Sequence, residues 1–207
     1  MNAIDRILET KIVAIIRLDA YDRAVEVARA LVDGGISALE FTLTGKGAIE
    51  AVAAAREALG DAACVGVGSV LQPEQARAAI ESGAQFVVTP AVRKQVIAAC
   101  VNRGTLVLSG GFTPTELLEA YEAGSELVKL FPAQQGGPRY LKDVLAPLPF
   151  LKLVPTGGVS PDNARDYLAA GAVALGMGGN LVSKQAVAAG DFGRITATAQ
   201  ASVAAIR

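Results

Sequence analysis

Two charged side chains interrupt apolar runs of this chain, and both are of types that carry covalent and proton-transfer chemistry. Lys129 lies within Leu127-Val128-Lys129-Leu130-Phe131, and Glu40 within Leu39-Glu40-Phe41-Thr42-Leu43. Strand alternation places Leu39, Phe41 and Leu43 on one face, and Ala38, Glu40, Thr42 and Thr44 on the other. The large apolar set suits a layer beneath helices, so the small and polar set points the other way. A carboxylate there is costly unless it is paired or has work to do. Lys129 shares a face with Leu127 and Phe131 by the same rule. Two readings stay open at this point: a buried structural ion pair, and a neutral amine acting as a nucleophile beside an acid/base carboxyl.

The residue that is missing narrows the chemistry further. The chain contains no histidine, which removes the commonest general base and the commonest metal ligand. A Ser-His-Asp or Cys-His site is excluded, and neither a metal nor a cofactor is expected. Of seven lysines, only Lys11, Lys129 and Lys152 fall in or beside apolar runs, and Lys129 alone lies late in its run. Arg17 closes the run Ile12–Ile16. There it is either an anion ligand that also depresses the pKa of Lys129 or an ordinary surface arginine.

These residues need a scaffold, and the glycines outline one. Gly35, Gly60, Gly83, Gly104, Gly124 and Gly171 recur at 20 to 25 residues, with a last interval of 47 that spans about two units. Each ends a helical stretch, where glycine supplies the left-handed turn into the next strand. The strands expected are Ile12–Ile16, Ile36–Leu43, Ala62–Val67, Phe86–Thr89, Leu106–Leu108, Leu127–Phe131, Phe150–Val154 and Ala172–Gly176. Between them lie helical patterns such as Ala20–Asp33, with Ala24, Val27, Ala28 and Leu31 on one stripe. Thr113-Pro114-Thr115-Glu116 reads as a capping box, and Ser160-Pro161 as another helix start. Eight strand–helix units in 207 residues predict one (β/α)8 TIM-barrel domain over 1–207, with a short extra helix at residues 2–9. An open flavodoxin-like sheet accommodates fewer units.

In a parallel barrel the chemistry sits at the C-terminal strand ends. Those ends carry Arg17, Thr44, Ser69, Pro90, Lys129 with Phe131, Thr156-Gly157-Gly158 and Gly178-Gly179. The two glycine pairs follow strands seven and eight, where barrels bind phosphate on bare backbone N–H groups; two tight turns without a ligand are the alternative. Gly66-Val67-Gly68 lacks the third glycine of a dinucleotide fingerprint. With a net charge of −1 there is no footing for nucleic-acid binding. The N-terminus lacks a signal-peptide core, and no apolar run reaches the roughly 18 residues of a membrane span. Cys64 and Cys100 each lie in apolar surroundings, as free thiols of a cytoplasmic protein would.

Taken in order, these residues resemble the 2-keto-3-deoxy-6-phosphogluconate (KDPG) and 4-hydroxy-2-oxoglutarate (KHG) aldolase family. They also resemble its relatives acting on 2-keto-3-deoxy-6-phosphogalactonate. The resemblance covers nearly the whole chain. It rests on Leu39–Leu43, Val65–Leu71, Gly110–Glu116, Lys129-Leu130-Phe131-Pro132-Ala133 and Pro155-Thr156-Gly157-Gly158. It implies a cytoplasmic homotrimeric lyase that binds a 2-keto acid, releases pyruvate and needs no cofactor. Lys129 would be its Schiff-base lysine and Glu40 its acid/base group. Arg17, Thr44 and Ser69 would hold the carboxylate, Pro90 and Phe131 would wall the pocket, and Thr156, Gly157, Gly158, Gly178 and Gly179 would take the phosphate. The chain departs from the family pattern at Thr44, where an arginine is common, and at Gly179, where a serine is common. Those departures bear on substrate identity rather than on the nucleophile. A trimeric barrel that has lost activity is the alternative from another class.

Overall fold

A computed structural model describes residues 2–207. Eight strands, β1 (Ile12–Ile16), β2 (Ala38–Thr42), β3 (Cys64–Gly68), β4 (Phe86–Val88), β5 (Leu106–Gly111), β6 (Leu127–Leu130), β7 (Leu153–Pro155) and β8 (Leu175–Met177), alternate with helices. All pairings are parallel, in the order β7-β6-β5-β4-β3-β2-β1-β8. The sheet curls until its edges meet. Between β7 and β8 the described residues supply one bridge, Thr156 to Gly176, and the Val173 N–H donating to the Leu153 carbonyl at 3.0 Å. The expected (β/α)8 barrel is therefore present, closed along a thin seam.

The helices are α1 (Ala3–Thr10), α2 (Ala24–Asp33), α3 (Ala48–Leu59), α4 (Pro73–Glu81), α5 (Lys94–Val101), α6 (Pro114–Glu122), α7 (Gly137–Leu145), α8 (Ala164–Ala169), α9 (Lys184–Ala189) and α10 (Phe192–Ile206). The glycine punctuation does what the repeat implies: the six glycines have φ between +51° at Gly60 and +112° at Gly171. The Thr113 capping box forms, with Glu116 Oε2 accepting the Thr113 N–H at 2.8 Å.

Most strand boundaries differ from the sequence reading by one to three residues, β2 starting at Ala38 and β5 running on to Gly111, and the larger differences have local causes. The helix expected from Ala20 starts at Ala24, because Ala20 bridges to Lys46 and the Tyr21 hydroxyl turns inward. That hydroxyl lies 2.9 and 2.8 Å from the Ile16 and Thr42 carbonyls and accepts the Thr42 N–H. Helix α8 does not begin at Ser160-Pro161. The Asn163 carboxamide accepts the Ser160 N–H and donates to the Gly158 carbonyl, closing a turn before the helix starts. Strand β7 starts at Leu153 rather than Phe150, whose ring is 48% exposed and packs on Tyr121. Strand β8 starts at Leu175 rather than Ala172.

Alternation sorts the core into two sets. Leu39, Phe41, Val65, Val67, Val128 and Leu130 pack outward under the helices. Val13, Ala38, Cys64, Phe86, Val88, Leu108, Leu127 and Val154 fill the barrel, with Ile7 of α1 packed on the same inner set. The barrel is thus plugged with apolar side chains at its N-terminal end, which leaves its C-terminal end for polar work.

Candidate active site

Glu40 on β2 and Lys129 on β6 project into the barrel one layer above that plug. Glu40 is in register with Ile15 and Gly66, and Lys129 with Gly110 and Val154. Neighbouring glycines make the room. A Cβ on Gly68 would occupy the position of the Glu40 carboxyl, and one on Gly66 would lie 2.5 Å from the Phe86 ring. The Gly66-Val67-Gly68 run is therefore a clearance for side chains on adjoining strands.

Both charged residues are nearly enclosed, Glu40 at 2% and Lys129 at 5% exposure. Among the described residues neither forms an ion pair within 4.0 Å, and neither side chain has a hydrogen-bond partner in the protein. Yet among the described residues no fully enclosed side-chain nitrogen or oxygen lacks a partner. The amine and the carboxyl must accordingly open onto the space above them. Burial pushes the Glu40 carboxyl up, against the opposing pull of Lys129 and Arg17. Burial pushes the Lys129 amine down, with Glu40 opposing and Arg17 assisting. Each group is thereby shifted toward its uncharged form. The Lys129 Nζ also lies 4.8 Å from the centroid of the Phe131 ring.

Beside this pair opens a cleft of about 680 Å³. Its walls include Arg17, Phe131, Thr156, Gly157, Gly158, Gly178 and Gly179. The backbone N–H groups of Gly158, Gly178 and Gly179 donate to no acceptor among the described residues, while that of Gly157 is directed across the seam at the Gly176 carbonyl by the Thr156–Gly176 bridge. Gly157 and Gly158 have φ of +89° and +79°, which only glycine adopts freely. Thr44, Ser69 and Pro90 stand at the ends of β2, β3 and β4, outside these walls. The Thr44 side chain is exposed, with its hydroxyl 2.8 Å from that of Thr42. Ser69 is held at φ +61°, an uncommon conformation for a residue with a Cβ.

The cleft walls also contain Asn180, which completes the last strand end with Gly178-Gly179, and four residues the sequence reading passed over: Gln134, Ser183, Lys184 and Gln185. Lys184 is tied to Asp19, with Nζ 2.6 Å from Oδ1. The available signal was Ser183 acting as a helix cap just after the second glycine pair, which fixes the following lysine at the barrel mouth.

Fold and site together define a (β/α)8-barrel enzyme of the aldolase type. The chain belongs to the KDPG and KHG aldolase family, whose model matches residues 3–198. It is 37% identical over 200 residues to a 2-dehydro-3-deoxy-phosphogluconate aldolase of Treponema pallidum, covering 96% of this chain and 93% of that protein. It is 36% identical over 193 residues to a KHG/KDPG aldolase of Escherichia coli, covering 93% and 90%. The fold superposes with a TM-score of 0.90 on the KDPG aldolase of Legionella pneumophila, solved with pyruvate captured at low pH as a covalent carbinolamine intermediate; that match has 27% identity and covers 97% of this chain and 98% of the other.

Proposed function

We propose that this aldolase cleaves a 2-keto-3-deoxy-6-phospho sugar acid, 2-keto-3-deoxy-6-phosphogluconate in the first instance, to pyruvate and glyceraldehyde 3-phosphate. One observation carries the reading. A buried lysine and a buried carboxyl share the barrel interior without pairing, each shifted toward its neutral form and open to the mouth. Neutral Lys129 attacks the C2 ketone; protonated Glu40 then gives its proton to the carbinolamine hydroxyl, which leaves as water, and a protonated imine and a Glu40 carboxylate remain. Glu40 as carboxylate takes the C4 hydroxyl proton. The C3–C4 electron pair moves into the imine, giving an enamine and releasing the aldehyde. Protonated Glu40 returns its proton to C3, and water then frees pyruvate and Lys129.

Binding groups follow the two ends of the substrate. Arg17, Thr44 and Ser69 face the carboxylate end, and Phe131 and Pro90 bound the reacting carbons. Thr156, Gly157, Gly158, Gly178 and Gly179 receive the phosphate, Gly158, Gly178 and Gly179 through unpartnered N–H groups. The test is borohydride reduction in the presence of pyruvate, read by mass mapping, together with pyruvate release across phosphorylated and unphosphorylated 2-keto-3-deoxy acids and 4-hydroxy-2-oxoglutarate. An adduct on Lys129 is expected. An adduct on Lys152, or none, would remove the assignment.

We further propose that residues 1–207 act as one barrel domain, as a cytoplasmic homotrimer. Support comes from two free thiols that burial pushes up to about 12 at Cys64 and about 11 at Cys100, inert groups suited to a reducing compartment. The exposed Tyr121–Phe150 ring pair and Val101 offer apolar surface for assembly. Light scattering should give three times the 21.1 kDa chain mass.

A further inference from the structure

We propose that Lys184 determines specificity by charge at the end of the substrate remote from the reacting carbons, and that Asp19 holds it in place until an anion takes it over. The inference rests on the aldolase reading above. Among the described residues, Arg17 and Lys184 are the charged ones in the cleft walls, and no carboxylate lines them. The two cations occupy different stations. Arg17 directly follows β1, and its charge acts on both Lys129 and Glu40. Lys184 opens α9, beyond the Gly178-Gly179 loop, and is not among the charges that act on either. A keto acid with a terminal phosphate is anionic at both ends, so a cleft with one cation near the reacting pair and another at the far loop matches it.

The surroundings of Lys184 fit a transferable contact. Its Nζ donates to Asp19 Oδ1 at 2.6 Å, but the two side chains are 56% and 88% exposed. So exposed a pair is weak. A phosphate dianion that also collects the free N–H groups of the glycine loops outcompetes a single carboxylate in water. Space for it exists: a Cβ on Gly179 would meet nothing within 4 Å. Where a side-chain hydroxyl is missing at Gly179, the ammonium of Lys184 supplies a stronger donor from the same stretch of chain.

The experiment compares kcat/KM for 2-keto-3-deoxy-6-phosphogluconate and unphosphorylated 2-keto-3-deoxygluconate in wild type, Lys184→Gln, Lys184→Arg and Asp19→Asn. Glyceraldehyde 3-phosphate and glyceraldehyde as acceptors for pyruvate give the same comparison in the condensation direction. Lys184→Gln should shrink the preference for the phosphorylated partner by roughly 5–20-fold, as loss of one charge-assisted hydrogen bond does. Lys184→Arg should recover most of it, and Asp19→Asn should raise it. An unchanged preference in Lys184→Gln, with melting temperature lowered equally in Lys184→Gln and Asp19→Asn, would make the pair a structural clasp and overturn the proposal. Pyruvate–borohydride labelling of Lys129 separates the two failures. Labelling that persists while the preference stays fixed removes only the Lys184 role, and absence of labelling in the wild type removes the aldolase reading itself.

Discussion

A lysine and a glutamate inside one barrel would ordinarily collapse into an ion pair, and a paired ammonium is no nucleophile. Here they stand apart on β2 and β6, and burial outweighs their mutual attraction for both. The arrangement has a stability consequence. The folded state raises the Glu40 pKa above its ordinary 4.5, so between those values the native protein holds more protons than the unfolded chain. Stability associated with Glu40 is present below pH 4.5 and is lost as pH rises through the folded value. Glu40→Gln should therefore melt no lower than wild type at neutral to alkaline pH, while turnover falls on the order of 10²–10⁴-fold, as for other acid/base groups. Trapping of pyruvate by borohydride should continue, because Glu40 is what opposes the downward shift of Lys129. Near-normal turnover with a much lower melting temperature would make Glu40 structural. Arg17 acts in the opposite sense on the amine: it helps hold Lys129 below the ordinary 10.5. In Arg17→Gln the midpoint of the pH–trapping curve should move alkaline, and trapping at neutral pH should slow by roughly 2–10-fold, the size of one screened charge–charge contact. A midpoint that stays put would reduce Arg17 to an anion ligand or a bystander.

At the level of elements, the site depends as much on where strands carry no side chain as on where they carry one. Strand β3 passes Gly68 against the Glu40 carboxyl, so Gly68→Ala forces the two groups into one place. Overpacking of this kind typically costs about 1–3 kcal/mol, and turnover should fall at least as far as in Glu40→Gln. Glu40→Ala should rescue the stability of Gly68→Ala without restoring turnover, a coupling that a double-mutant cycle of melting and kinetics would expose; additive losses would show that the two positions do not compete for space. The same logic explains what could be read in advance. Glu40 and Lys129 were visible because a charge in an alternating apolar strand breaks a pattern. The helix-end glycines were visible because they recur. Gly66 and Gly68 were not, since an inward glycine leaves no periodic trace and its reason lies in Phe86 and Glu40 on neighbouring strands. Phe150 misled the placement of β7 because its ring finds Tyr121 on the surface instead of the core. Lys184 was passed over because a lysine at the start of a short helix looks like any solvated side chain, and only the barrel brings residue 19 to it.

The whole molecule is a cylinder whose strands are laced together everywhere except at one joint. The β7–β8 edge holds by the Thr156–Gly176 bridge and the Val173 N–H, whereas β2 and β3 pair over five residues. The two glycine loops proposed to share the phosphate leave the barrel from opposite sides of that joint, Thr156-Gly157-Gly158 from β7 and Gly178-Gly179 from β8. An anion bound by both is a rivet across the least fastened part of the wall. Local opening should begin there, so in hydrogen–deuterium exchange the Val173 amide, just ahead of β8, should exchange earlier in free protein than the amides within the strands. Inorganic phosphate at saturating concentration should slow it selectively, and at about 100 times its dissociation constant should add about 2.7 kcal/mol to global stability. Protection spread evenly over all eight strands, or none at Val173, would mean that the ligand does not span the joint. Under the rivet reading, the enzyme is mechanically tightest while its substrate is in place and loosest along the line through which the phosphorylated product departs.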